Sequence, residues 1–302
     1  MRSGRIYLGS HDSPILSVVS VLSLIPRCGG NRAAVDGNCR PLQILGFLMV
    51  NRLFKKIVCS LARSLPTTFS RLASMTATSS PTIGLVTLHL FFKQSPLTDH
   101  DEVLAILDKT GSSDISVITV SMLGHKADIG VMVLATDMRP LRDLQTGLVL
   151  AGLELVDSYL SLTEVSEYAD GLPEKMKQDR LYPTLPPEEK AAWCFYPMSK
   201  RREPGQNWFT TPFDRRKELM HEHGASGRKF AGRVVQLITG STGMDDYEWG
   251  VTLFADHPDT IKEVVYTMRF DEASAEFAEF GQFYVGLVEE PSDVLKSVGV
   301  LP

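Results

Sequence analysis

Two stretches of the chain bring together residue types that do chemistry. In the first, Tyr196-Pro-Met-Ser-Lys-Arg-Arg202 continues an apolar run that begins at Ala191. Strand alternation puts Tyr196, Met198 and Lys200 on one side, and Pro197 suits a strand end or edge at a pocket rim. A tyrosine near a lysine and arginines can act as a redox group or donate to a carboxylate, and the cations suit an anionic ligand. The same residues would also make a solvated basic turn with a half-buried tyrosine. In the second stretch, Pro212–His223 carries helix signals in order: Thr211 to cap, Pro212 at the first helical position, Asp214 near the positive end and Gly224 to stop it. Leu219 and His223 share a face at i, i+4, which places His223 at the C-terminal end on the inward side and turns His221 elsewhere. A neutral imidazole there could ligate iron. It could equally be a satisfied core histidine or a partner of the helix dipole.

Further cations are Arg228, Arg233 and Arg269, and Ser274 is expected on the same helix as Arg269, in a stretch that otherwise reads as acidic surface. His89, His100 and His125 have no partnering pattern, and Trp208 and Trp249 read as packing. The chain contains no Gly-rich phosphate loop, no Gly-x-Ser-x-Gly elbow and no His-Glu-x-x-His.

The elements that must position these residues follow from periodicity. Strands are expected at Thr82–Phe92, Ser113–Leu123, Ile129–Ala135 and Leu153–Val165, with helices at Leu97–Lys109 and Leu141–Leu150. That is β-α-β-β-α-β over residues 79–167. After a connecting segment at 168–190, rich in Pro and charge, the order repeats over 191–290: strands at Ala191–Met198, Val234–Gly240, Trp249–Phe254 and Phe283–Val288, helices at Pro212–His223 and Pro258–Phe280. Tandem βαββαβ units predict an α+β fold of two packed ferredoxin-like halves, with residues 291–302 as a tail.

The 302 residues are 43% hydrophobic and 22% charged, a globular balance able to bury a real core. The net charge of −5 hides an asymmetry: the first 74 residues carry +8 and the rest −13. An acidic body argues against nucleic acid as a partner. Cys194 is the one cysteine of the body, so neither an internal disulfide nor a zinc site is expected there, and the body reads as cytoplasmic. No apolar run is long enough for a transmembrane segment. The basic stretch opening at Met49 resembles a targeting peptide, or translation starts at Met49 or Met75; either way residues 1–78 are expected to be a disordered leader outside the fold.

The second half also looks like a known family. Cys194-Phe-Tyr-Pro-Met-Ser-Lys-Arg-Arg202, Asn207-Trp208, Glu222-His223-Gly224, Val235-Gln-Leu-Ile-Thr-Gly-Ser-Thr-Gly243, Asp246-Tyr-Glu-Trp-Gly-Val-Thr-Leu-Phe254 and Val265-Tyr-Thr-Met-Arg-Phe-Asp-Glu-Ala-Ser-Ala275 resemble the coproheme decarboxylases, of actinobacterial type, within the chlorite dismutase-like haem proteins. The resemblance implies a dimeric α+β barrel, assembled as a homopentamer, in haem biosynthesis. It implies Fe-coproporphyrin III (coproheme) as substrate and redox centre, hydrogen peroxide as oxidant and haem b as product, two propionates becoming vinyl groups through a tyrosyl radical. By motif position His223 would be the iron ligand and Tyr196 the redox residue. Pro197, Met198, Ser199, Lys200, Gln236, Arg269, Ser274 and Arg180 would line the cofactor site. Gln236 stands where chlorite-dismutating relatives carry an arginine, which speaks against chlorite chemistry. No histidine lies between His125 and His221, so the resemblance assigns no distal base. Two other readings use the same residues: a non-catalytic haem carrier or sensor, and a peroxidase or chlorite dismutase-like enzyme.

Overall fold

The first strand shows why a barrel forms. In β1 (Val86–Lys93) one face, Val86, Leu88, Leu90 and Phe92, packs against helices, while the other, Thr87, His89 and Phe91, is buried as well. A strand buried on both faces must be covered on both. The computed structural model describes residues 79–111 and 114–302, and the expectations for the leader at 1–78 lie outside them.

Within the first half, β1, β2 (Ile115–Met122), β3 (Ile129–Ala135) and β4 (Glu154–Thr163) pair antiparallel in the order β2-β3-β1-β4. Helices α1 (His100–Thr110) and α2 (Met138–Leu150) cover the outer face through Val103, Leu107, Leu141, Leu144 and Leu148. Asp99 and Asp137 cap them, accepting from Glu102 N–H and Arg139 N–H. The connecting segment contains a short helix that periodicity did not suggest, α3 (Glu174–Leu181), anchored by buried Leu181.

The second half repeats the order with β5 (Ala192–Lys200), β8 (Val234–Gly240), β9 (Trp249–Ala255) and β11 (Tyr284–Val288), arranged β8-β9-β5-β11. A small hairpin, β6 (Arg202–Glu203) with β7 (Gln206–Asn207), follows β5. Two seams join the halves. β4 pairs with β8 at Leu162↔Gly240 and Thr163↔Thr239, and β11 pairs with β2 over Gly286↔Met122 to Val288↔Val120. With β5 also paired to β9, eight strands close on themselves, the barrel that the family resemblance implies, built from the two ferredoxin-like halves that the tandem pattern predicts. Its interior is filled by Phe91, Ile118, Met132, Tyr159, Trp193, Phe195 and Phe254.

Four expectations change. Helix α4 (Phe213–Arg228) does not stop at Gly224. Its two glycines lie within the helix, Gly224 beside the Arg228 guanidinium and Gly227 facing the Met268 methyl, both at ordinary contact distance. Thr211 does not cap α4; its hydroxyl donates to Asn207 O at 2.9 Å. The long helix expected over Pro258–Phe280 is α5 (Pro258–Met268), α6 (Glu272–Ala275) and β10 (Ala278–Phe280), which pairs with the end of β5. Asp271 breaks it, accepting from Ser274 N–H as the cap of α6. Residues 291–302 begin with α7 (Pro291–Ser297), whose Val294 and Leu295 enter the first-half core.

Candidate functional site

Alternation along β5 sorts the sequence motif into two faces. Trp193 and Phe195 point into the barrel, while Cys194, Tyr196 and Met198 belong to an outer cluster with Val251, Leu253, Ile261, Val264 and Met268. Lys200 follows on the same alternation. Register extends this outer face across the sheet: Tyr196 pairs with Val251, which pairs with Ile238, and Met198 pairs with Trp249, which pairs with Gly240. Helix α5 covers β5 and β9. On β8, Gln236 and Ile238 stay exposed, Ile238 at 42%.

Tyr196 is 7% exposed, stacked on Phe283 at 4.4 Å and edge-on to Phe280 at 5.7 Å. Burial pushes its phenol pKa up, with Cys194 adding to the shift and Arg269 opposing it. The phenol therefore keeps its proton. The Arg269 guanidinium lies 4.9 Å over the Phe280 ring, at the same end of the site.

His223 and Lys200 meet at α6. The His223 Nδ1 lies 3.1 Å from both carboxylate oxygens of Asp271 and 3.3 Å from Ser274 Oγ. Burial alone would raise the Asp271 pKa, but the hydrogen bond and charge of His223 and the Ser274 N–H outweigh it, and the net shift is downward. An ionised carboxylate only accepts, so Nδ1 carries a proton, and in the neutral ring Nε2 is the nitrogen left with a lone pair. Since Nδ1 donates, the Ser274 hydroxyl keeps its own proton to offer. Lys200 is buried. Its Nζ donates to Ala273 O at 2.6 Å and lies 4.5 Å over the Trp208 ring. Burial lowers its pKa to about 8, against the charges of Asp271 and Glu248.

Not every residue of the motif joins them. Ser199 faces the other way, its Oγ accepting from Glu248 N–H at 3.2 Å. Pro197 lies inside β5 rather than at an edge. Its carbonyl accepts from Gly281 N–H, so its imide nitrogen faces the break between β10 and β11, where no ladder bond is lost. Arg180 is exposed on α3. Arg233 is engaged on the surface with Thr260 and Glu263.

Residues 98–289 match the family described as chlorite dismutase. The chain belongs to this family. A coproheme decarboxylase from Staphylococcus carnosus (strain TM300) is 39% identical over 234 residues, 68% of this chain and 92% of that protein. A putative heme-binding protein of Natronomonas pharaonis is 44% identical over 214 residues, 65% of this chain; the chain spans only 35% of that protein's length. Among solved structures, a heme-binding protein from Thermus thermophilus aligns with TM-score 0.65 and 32% identity over 72% of this chain and 96% of its own. A chlorite dismutase mutant from Candidatus Nitrospira defluvii shares the fold, with TM-score 0.61 at 18% identity over 72% of this chain and 97% of its own. No helix among the described residues is long and apolar enough to cross a membrane.

Sequence reasoning missed Asp271, Phe283 and the role of Trp208. Asp271 sits in an acidic stretch that resembles solvated surface, and only its capping position before Glu272 signals a fixed carboxylate. Phe283 reaches the site from a loop and Trp208 from a single 3-10 turn, Trp208–Thr210, and periodicity encodes the path of neither.

Proposed function

We propose that this chain is a coproheme decarboxylase: with hydrogen peroxide it converts two propionates of Fe-coproporphyrin III to vinyl groups, giving haem b. The observation that carries the reading is the pairing of two features. His223 is tied through Nδ1 to buried Asp271, leaving Nε2 as the ring nitrogen fit to ligate iron, and Tyr196 lies on the strand that also carries Lys200. The 39% identical relative named coproheme decarboxylase supports it.

The substrate iron supplies oxidising power when peroxide reaches it, and the chain supplies position and charge. Lys200, Ser274 and Arg269 hold propionates, while Met198 and Gln236 line the porphyrin. Tyr196 gives up a hydrogen atom and recovers one from the propionate beside it. A second electron passes from the propionate to the peroxide-oxidised substrate, and the side chain becomes a vinyl group as carbon dioxide leaves. Holding the two together makes the transfer effectively intramolecular. The neutral, buried phenol suits this role, because it releases a proton only together with an electron. We further propose, from the resemblance alone, that the protein assembles as a homopentamer.

The test is to add ferric coproheme to the purified protein, titrate in peroxide and follow products by mass. Stepwise loss of two carboxyl groups is expected, and Tyr196→Phe should bind coproheme without converting it. Conversion by Tyr196→Phe at the wild-type rate would overturn the role of Tyr196. Tight binding without conversion by the wild type would make the protein a carrier.

A further inference from the structure

Each vinyl group formed in the proposed reaction consumes a proton. A propionate, one hydrogen peroxide and one proton give a vinyl group, carbon dioxide and two waters: the C–C and one C–H bond of the propionate break, and their two electrons reduce the O–O bond. Gln236 on the exposed strip of β8 cannot supply that proton, and among the described residues no histidine reaches the strip from the sheet.

One carboxyl does. Glu164, just past β4, folds over the outer face of the sheet at the row that pairs Gly240 with Trp249 and Met198. Its Oε1 accepts from the Trp249 indole N–H at 3.1 Å. The carboxyl lies flat on Gly240: a Cβ there would fall 2.7 Å from Glu164 Cδ and 3.1 Å from Oε1, so the absent side chain is what makes room for it. Trp249 from β9 and the Gly240 backbone from β8 are the groups that face it, and among the described residues no cation pairs with it. Although the residue as a whole is exposed, the loss of water around its carboxyl raises the pKa more than the Trp249 bond lowers it. An unpaired carboxyl with a raised pKa, open to solvent on one side and to the uncovered sheet face on the other, is placed to carry protons.

We propose that Glu164, fixed by Trp249 and Gly240, is the proton carrier of this sheet face, drawing one proton from solvent per vinyl group and delivering it to the peroxide oxygen that leaves as water. The assignment rests on the decarboxylase reading.

Two measurements test it. In the ligand-free protein, the Trp249 indole N–H resonance should shift with a midpoint raised from the ordinary glutamate value, and Glu164→Gln should abolish that titration. In the coproheme complex, peroxide-driven conversion by the wild type should slow as pH rises through the same midpoint. Glu164→Gln should bind coproheme normally, convert it about 10²-fold more slowly and lose that pH dependence. An indole resonance that does not titrate, or a Glu164→Gln variant with the wild-type rate and profile, overturns the proposal and leaves the decarboxylase reading standing. A wild type that converts no coproheme overturns both.

Discussion

The His223 ring is held from behind by Asp271, both carboxylate oxygens lying 3.1 Å from Nδ1 and the Asp271 side chain only 1% exposed. The same carboxylate caps α6 through Ser274 N–H, so one side chain fixes both the orientation of the imidazole and the start of the helix that carries Ser274 and Ala273. Replacing Asp271 by asparagine keeps a capping oxygen but removes the charge that holds the proton on Nδ1. Asp271→Asn is therefore expected to weaken binding of ferric coproheme by about 10- to 100-fold, with only a small loss of stability. Titration of the porphyrin absorbance and a thermal melt measure the two separately. Unchanged affinity would mean that His223 is not the ligand.

On the proposed reading, Lys200 ties coproheme affinity to pH. Its pKa is lowered to about 8 by burial, below the ordinary lysine value, so between about pH 8 and that value the unfolded chain binds the extra proton. Stability from this group therefore rises with pH across that window. Binding runs the other way, because only the protonated amine attracts a propionate. Coproheme affinity is expected to fall about tenfold between about pH 7 and about pH 10, the loss of one charge-assisted hydrogen bond. Lys200→Met should bind weakly at both ends with no step between them. A wild type whose affinity is flat over this range would remove Lys200 from the site.

Inside the barrel, His89 is a neutral histidine under strain from acid. It is 1% exposed, bonded through Nε2 to Thr252 Oγ1 at 3.0 Å and stacked 4.1 Å from Phe195. Burial lowers its pKa from 6.5 to about 3. The unfolded chain then binds more protons between those values, so the stability this group contributes is lost as pH falls from about 6.5 toward 3. Compared with His89→Phe, the wild type should lose about 1.4 kcal/mol per pH unit in that window. Urea melts at a series of pH values would show the two curves diverging on acidification. Parallel curves would mean that His89 is solvated or charged in the folded state.

The contrast between these residues explains what the sequence made legible. The tandem βαββαβ order and the outward set Tyr196, Met198 and Lys200 follow from local alternation, which the closed sheet preserves. His223 was placed inward by its i, i+4 relation to Leu219, although Gly224 misled the reading of where α4 ends. Asp271, Glu164, Trp249 and Phe283 were not legible. Each matters through a contact between segments far apart in the chain, such as Trp249 with Glu164 across 85 positions. Ser199 shows the opposite error: motif membership suggested a ligand role, and alternation turns it to the other face.

The seam between the halves gives the last test. β11 meets β2 over only three pairs, and Gly286 stands at one end of them, opposite Met122. A Cβ at Gly286 would strike the Ser121 carbonyl and lie 2.7 Å from Val120 Cγ1, and these are backbone and a β-branched side chain that cannot swing away. Gly286→Ala is expected to cost about 1–3 kcal/mol, lowering Tm by about 2–4 °C for each kcal/mol. Gly171→Ala, where a Cβ meets nothing within 4 Å, is the neutral control. Because the seam lies away from α4 and α6, the destabilised variant should still bind coproheme normally at low temperature. A Gly286→Ala protein as stable as the control would mean that β11 and β2 are not in register in solution, and the closed barrel would have to be redrawn at this edge.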